Sequence, residues 1–178
     1  MKIYGIAIVG ANGSGKTTLG KELAKYLGYK HMDIENYSFN SSPIPYTNPR
    51  PLEEIKKFLL KDMHQYKRFI LSSCNGDLGN KINAFYKYII YIKVPLDIRM
   101  ERVKNRAYKQ FGNRILKGGD LYEQEQKFFK FVETRTMDKT DLWLKTQTCP
   151  IIYLDGTKSI EQNLKILKDK INTSFFIP

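Results

Sequence analysis

Gly10-Ala11-Asn12-Gly13-Ser14-Gly15-Lys16-Thr17 satisfies the pattern GxxxxGK[ST] at every specified position, and its surroundings leave few ways to fold it. Upstream, Ile3 to Val9 is an apolar run of strand length. Downstream, Leu19, Leu23, Tyr26 and Leu27 recur at helical spacing until Gly28 stops them. A strand, a glycine-rich turn and a helix in that order aim successive backbone N–H groups at one point, where the positive end of the helix adds its charge. Such a turn cradles a polyphosphate. Gly10, Asn12, Gly13, Ser14 and Gly15 form the cradle, Lys16 reaches the terminal phosphates, the Thr17 hydroxyl completes a Mg²⁺ shell, and Thr18 follows on the donor side. A plain glycine turn calls for no such pairing of lysine with threonine.

The rest of the chain repeats the alternation. Tyr29 to Met32, Arg68 to Ser73, Tyr88 to Val94 and Ile151 to Leu154 read as further strands. Helical stripes fall at Leu52, Ile55, Phe58, Leu59 and Met63, at Ile98, Val103 and Ala107, and at Ile160, Leu164, Leu167 and Ile171. Leu121 to Leu144 reads as one long helix or two shorter ones. Strands that are apolar throughout and are followed by helices predict an α/β fold, with a parallel sheet covered on both faces. Asp33 to Pro51, with Pro43, Pro45, Pro49 and Pro51, reads as a loop without regular structure. At 178 residues, against about 150 per domain, the expectation is one domain over 1–178. Hydrophobic residues at 42% and charged residues at 27% exclude a disordered or fibrous chain.

No apolar stretch has the 18 or so residues of a spanning helix, and Met1 leads straight into the first strand without a signal-like segment. Cys74 and Cys149 stand far apart and match no metal-ligand spacing, so they read as reduced thiols of a cytoplasmic protein.

In open parallel sheets, ligands bind beyond the carboxyl ends of the strands, where Asp33 and Glu35 follow strand two and Asp77 follows strand three. A carboxylate there organises a metal's water or takes the proton of an acceptor hydroxyl. The residues leave the division of labour open, and a helix or turn cap is the competing role for Asp33 and for Asp77. His31 reads as a packed strand-edge histidine and Cys74 as a small core residue.

The net charge is +12, and Arg99 to Lys117 carries half of it, with seven basic residues against Glu101. On a helix, Arg99, Arg102 and Arg106 share a face, from which they converge on one target. Guanidinium groups stabilise a phosphoryl group in transfer, so Arg102 and Arg106 are expected to be catalytic, with Arg114 arriving from a loop. Gly112, Gly118 and Gly119 suit a mobile lid over about 108–120.

Taken together, Gly10 to Thr17, the pair Asp33 and Glu35, Arg102 and Arg106 before a glycine-bounded loop, and Asp155-Gly156-Thr157 resemble the nucleoside and nucleotide kinase group of P-loop proteins. That group includes adenylate, shikimate and gluconate kinases. The run from Val94 through Asp120 is similar to small bacterial adenylate-kinase-like proteins labelled as ATPases. The resemblance implies a three-layer fold with five parallel strands in the order 2-3-1-4-5, a lid, and ATP with Mg²⁺. It also implies a base lying near the lid helix and bordered by Asp155, Gly156 and Thr157. It matches Asp33 to the acidic position near metal or acceptor, and Arg102 and Arg106 to the lid clamp. The Asp-Gly-x-Pro-Arg signature of adenylate kinases and the triple-glycine turn of shikimate kinases are absent, so neither substrate carries over.

For the acceptor, Tyr37, Tyr46 and Arg50 lie in the 33–51 segment, and Arg135 projects from the long helix as a further anion contact, with a surface ion pair as its competing role. A small-molecule acceptor and a monomer or homodimer are expected. A polynucleotide 5′-end kinase or nucleic-acid-binding ATPase is the alternative that the charge favours, and a non-catalytic nucleotide-binding module is a third. Asn80-Lys81-Ile82-Asn83 lacks the aspartate of the guanine-reading Asn-Lys-x-Asp, which discounts a regulatory GTPase.

Overall fold

In the computed structural model, which describes residues 2–42 and 46–171, five strands form one parallel sheet in the order β2-β3-β1-β4-β5. They are β1 Tyr4–Val9, β2 Lys30–Asp33, β3 Arg68–Ser73, β4 Tyr86–Lys93 and β5 Ile151–Asp155. The helices are α1 Lys16–Leu27, α2 Ile34–Ser38, α3 Leu52–Tyr66, α4 Asn80–Asn83, α5 Leu96–Phe111, α6 Tyr122–Thr134, α7 Asp138–Leu144 and α8 Ile160–Lys170.

The two-residue period of a strand explains why the central strands β1, β3 and β4 are apolar along most of their length, whereas the edge strand β2 buries only Met32. Along β1, Ala7 and Val9 face one core with Ile55, Leu59 and Met63 of α3 and Trp143 of α7. Ile6 and Ile8 face the opposite core with Leu19 and Leu23 of α1 and Leu167 of α8. With both faces covered, a polar residue on either face of a central strand would be buried. A third apolar cluster, with Val103, Ala107, Ile115, Leu121, Phe129 and Val132, binds α5 to α6.

One local expectation changes and two other segments gain detail. The 33–51 segment is not wholly irregular: Asp33 accepts a hydrogen bond from the Glu35 N–H and caps the short α2, and Phe39 bridges to Pro49. Pro43 and Pro45 lie outside the described residues. The 121–144 stretch is two helices, because Arg135 takes an extended backbone after α6. Within 108–120, α5 continues to Phe111 and a 3-10 turn covers Gly112–Ile115, with Ile115 and Leu121 buried in the third cluster. The glycines there shape a packed helical corner.

Candidate active site

The phosphate-binding loop leaves the buried end of β1 and turns into α1. Gly13 has φ 80°, and a Cβ on it would come within 2.5 Å of the Arg99 carbonyl oxygen, so the position excludes any side chain. Gly15 starts α1 at φ 92°. Lys16 sits at the helix N-terminus with Nζ folded back to donate to Ala11 O at 2.9 Å. The loop's other side is braced by Arg99, only 9% exposed, whose guanidinium donates to Val94 O at 3.2 Å and Asn12 O at 3.3 Å. Arg99 therefore does not converge with Arg102 and Arg106 as helical spacing predicts. Arg99 lies in the first turn of α5, within reach of the Val94 and Asn12 carbonyls, and these take its guanidinium.

The ends of β2 and β3 supply the floor. Thr17 Oγ1 donates to Asp33 Oδ2 at 2.7 Å, while Asp33 Oδ1 accepts from the Glu35 N–H at 3.1 Å. Asp33 thus fills both roles its position allowed, each with a different oxygen. Ser72 Oγ donates to Lys16 O at 3.2 Å and shares a 3.0 Å hydrogen bond with His31 Nε2. Burial lowers the pKa of His31 against the opposing pull of Asp33, in keeping with a packed, neutral imidazole.

A cavity of about 280 Å³ opens above this floor, bordered by Lys16, Thr17, Asp33 and Glu35 on one side and by Arg102 and Arg106 of α5 on the other. Arg102 also borders an adjoining groove of about 460 Å³, with Ser14, Thr18, Gly156 and Thr157. Its Nη1 donates to Gly156 O at 3.0 Å, so this one side chain stands between the two spaces. Asp155 is not among the residues lining this groove but ties down its Thr157: its Oδ1 accepts from Thr157 Oγ1 at 2.6 Å and Thr157 N at 2.9 Å, and these bonds hold its carboxyl below the usual carboxylate range.

Other sequence candidates lie elsewhere. Arg114 makes an exposed two-pronged pair with Asp120, at 3.0 and 2.6 Å, and is not brought to the cavity in this conformation. Asp77 accepts from Gly79 N at 3.1 Å and Asn83 Nδ2 at 2.8 Å, which makes it a turn former ahead of α4. Arg50 braces its own loop through Asn40 Oδ1 at 2.7 Å and Tyr37 O at 3.0 Å, with Phe58 beneath it at 5.2 Å. Tyr37 donates to Asp62 Oδ2 at 2.7 Å. Tyr46, 49% exposed with φ 64°, stands edge-on to Phe39 and hydrogen-bonds Gln110, linking this loop to α5.

Arg135 does reach the site, and it makes no ion pair among the described residues. Its Nη1 donates to Asn12 Oδ1 at 3.2 Å, an oxygen that also takes the Cys74 thiol at 3.6 Å. Sequence spacing carries no signal for a contact spanning 123 residues. Glu125 of α6, a carboxylate 5% exposed, was likewise invisible within an amphipathic pattern.

The residues present fit a nucleotide and its metal. The loop offers N–H groups, a lysine and a helix N-terminus to the phosphates. No group of three or more His, Cys, Asp or Glu gathers among the described residues. The Thr17 and Asp33 oxygens suit Mg²⁺, which takes one or two protein ligands and completes its shell with phosphate and water. No helix among the described residues is long and apolar enough to cross a membrane.

Comparison with known proteins agrees with this geometry. The chain is 28% identical over 177 residues to the uncharacterized protein YqaC of Bacillus subtilis (strain 168), covering 95% of this chain and 98% of that one. It is 25% identical over 179 residues to a shikimate kinase of Clostridium botulinum, covering 90% and 95%. Among solved structures, deoxyadenosine kinase from M. mycoides with bound dATP superposes with a TM-score of 0.56 at 16% identity, covering 96% and 98%. The family described as an AAA domain matches residues 6–126. With that match spanning most of the chain, and with the strand order and phosphate loop in place, this protein belongs to the AAA-domain family, within the nucleoside- and nucleotide-kinase-like group of P-loop proteins.

Proposed function

We propose that the protein is an ATP- and Mg²⁺-dependent phosphotransferase that moves the γ-phosphoryl group to a hydroxyl of a small molecule: a nucleoside, a nucleotide or a small hydroxylated metabolite. One observation carries this reading: a single cavity of about 280 Å³ has Lys16 and the Thr17–Asp33 pair on one wall and two arginines on the other. Lys16 swings from Ala11 O to the terminal phosphates, and the loop amides hold the rest of the chain of phosphates. Thr17 and Asp33 would hold Mg²⁺, which would supply charge neutralisation at the phosphate oxygens. Arg102 and Arg106 stabilise the equatorial oxygens in transfer. Asp33 or Glu35 orients the acceptor hydroxyl and receives its proton as the oxygen bonds to phosphorus and the bond to the β–γ bridging oxygen breaks. Closure of the 108–120 segment would free Arg114 from Asp120 to join them.

The test is a screen with γ-labelled ATP and Mg²⁺ against nucleosides, nucleotides, sugar acids and oligonucleotides. Transfer to a small acceptor, abolished in Lys16→Met while the fold stays intact, is the expected result. Unchanged turnover in that variant overturns the assignment. The second reading, a polynucleotide 5′-end kinase or nucleic-acid-binding ATPase, draws on the +12 charge. It predicts labelled oligonucleotides and binding that falls steeply with salt.

A further inference from the structure

The groove beside the phosphate cavity is bordered by two polar side chains that the fold leaves incompletely paired. Ser14 is 2% exposed and Asn163 3% exposed, and neither Ser14 Oγ nor Asn163 Oδ1 has a hydrogen-bond partner among the described residues. Both residues line the same groove of about 460 Å³. Buried polar atoms are nearly always paired, so two orphans at one groove point to an occupant that completes them. Ser14 belongs to the phosphate loop, where the phosphates of a nucleotide account for its hydroxyl. Asn163 is on α8 and does not line the phosphate cavity, so it calls for a different partner.

Chemistry fixes which arm of the Asn163 carboxamide is free. Asn163 shares the buried stripe of α8 with Leu167, a position where an apolar side chain would cost no desolvation. One arm donates to Asp155 O at 2.9 Å. A backbone carbonyl only accepts, so that arm is the NH₂ group and the arm left over is the oxygen. Flipping the amide would set two oxygens against each other. Asn163 therefore brings a pure acceptor to the groove, in an orientation that the Asp155 bond holds. Solvent does not reach this oxygen, so only a donor seated deep in the groove satisfies it.

Gly15, Thr18 and Arg102 line both the groove and the phosphate cavity, so what fills the groove is continuous with the phosphates. Leu19, Ile92 and Ile160 give it apolar walls suited to a flat ring. Adenine carries an NH₂ donor where guanine carries an acceptor oxygen. We propose that Asn163 is a specificity-determining residue for the donor nucleotide, its Oδ1 accepting from the exocyclic amino group of adenine. Guanine would turn a carbonyl oxygen toward Oδ1 and leave both oxygens unpaired, so ATP is selected over GTP. The inference rests on the phosphotransferase reading and adds to it the base preference and the residue that sets it.

The experiment is calorimetric titration of the full chain, with Mg²⁺, against four probes. They are ATP, GTP, purine riboside triphosphate, which lacks the exocyclic amino group, and inorganic triphosphate, which lacks the base. Wild type should bind ATP about tenfold more tightly than either GTP or purine riboside triphosphate. In Asn163→Leu, which keeps a branched outline without an acceptor, ATP and purine riboside triphosphate should bind alike. Equal binding of these two by wild type, GTP binding as tightly as ATP, or a preference for ATP that survives in Asn163→Leu overturns the proposal. Should that variant fail to fold, the ¹³Cγ resonance of Asn163 in wild type decides: it should move further with ATP than with purine riboside triphosphate, and equal shifts overturn the role. Inorganic triphosphate separates the two readings. Its binding without discrimination among the bases refutes Asn163 alone, whereas failure of both triphosphate and ATP to bind refutes the phosphotransferase reading and this inference with it.

Discussion

Asp33 uses its two oxygens for two purposes, and two substitutions pull those purposes apart. Oδ1 caps α2 through the Glu35 N–H at 3.1 Å, and Oδ2 accepts from the Thr17 hydroxyl at 2.7 Å. Removing both with Asp33→Ala costs about 1 kcal/mol for the cap. It costs about 1 kcal/mol more for a charge-assisted hydrogen bond, taken at the low end because the side chain is half-buried. Unfolding entropy near 2.1 cal/mol/K per residue makes a loss of about 2 kcal/mol in a chain of this size worth roughly 5 °C in melting temperature. Asp33→Asn keeps a carbonyl oxygen and caps as well as aspartate, so it should melt within about 2 °C of wild type. It does, however, remove the negative charge facing Thr17, and phosphoryl transfer should fall by about a hundredfold or more. Differential scanning calorimetry and single-turnover transfer from labelled ATP measure the two effects. Wild-type turnover in Asp33→Asn would refute the assignment of Asp33 to the metal or acceptor. Equal melting temperatures for the Ala and Asn variants would refute the cap.

Gly13→Ala should abolish ATP binding, measured by calorimetry, because the new methyl meets the Arg99 carbonyl oxygen at 2.5 Å and φ 80° is itself strained. Leu59→Ala, at a side chain with no exposure beneath the sheet, should lower stability by about 2–5 kcal/mol in urea titration while leaving the phosphate loop's affinity near wild type. For Glu125 the pH dependence has a definite sign. A carboxyl whose pKa is raised on folding contributes stability that is fully present below its unfolded value, about 4.3, and is lost as pH rises through the folded value. The melting temperature of Glu125→Gln relative to wild type should therefore grow from pH 4 to pH 7, and a constant difference would contradict the burial argument.

Local pattern carried much of this protein. Strands β1, β3, β4 and β5 needed only runs rich in apolar residues of the right length, the phosphate loop only its glycines with Lys16 and Thr17, and Asp33 only its place at the end of the second strand. These are short-range properties, set by backbone sterics and by which residues shed water. What spacing cannot encode is where a long side chain ends up. Arg99, Arg102, Arg106 and Arg114 are alike in type and close in sequence, yet one braces the loop, one divides two cavities, one faces the phosphate site, and one pairs with Asp120. Their fates depend on what lies opposite each: the fold brings Asn12 and Gly156 to Arg99 and Arg102 across 87 and 54 residues, whereas Asp120 is six residues from Arg114. Arg135 meeting Asn12, and Glu125 buried on the inner stripe of α6, belong to the same class of fact. Charges act over distance in space, and only the tertiary fold converts distance along the chain into distance in space.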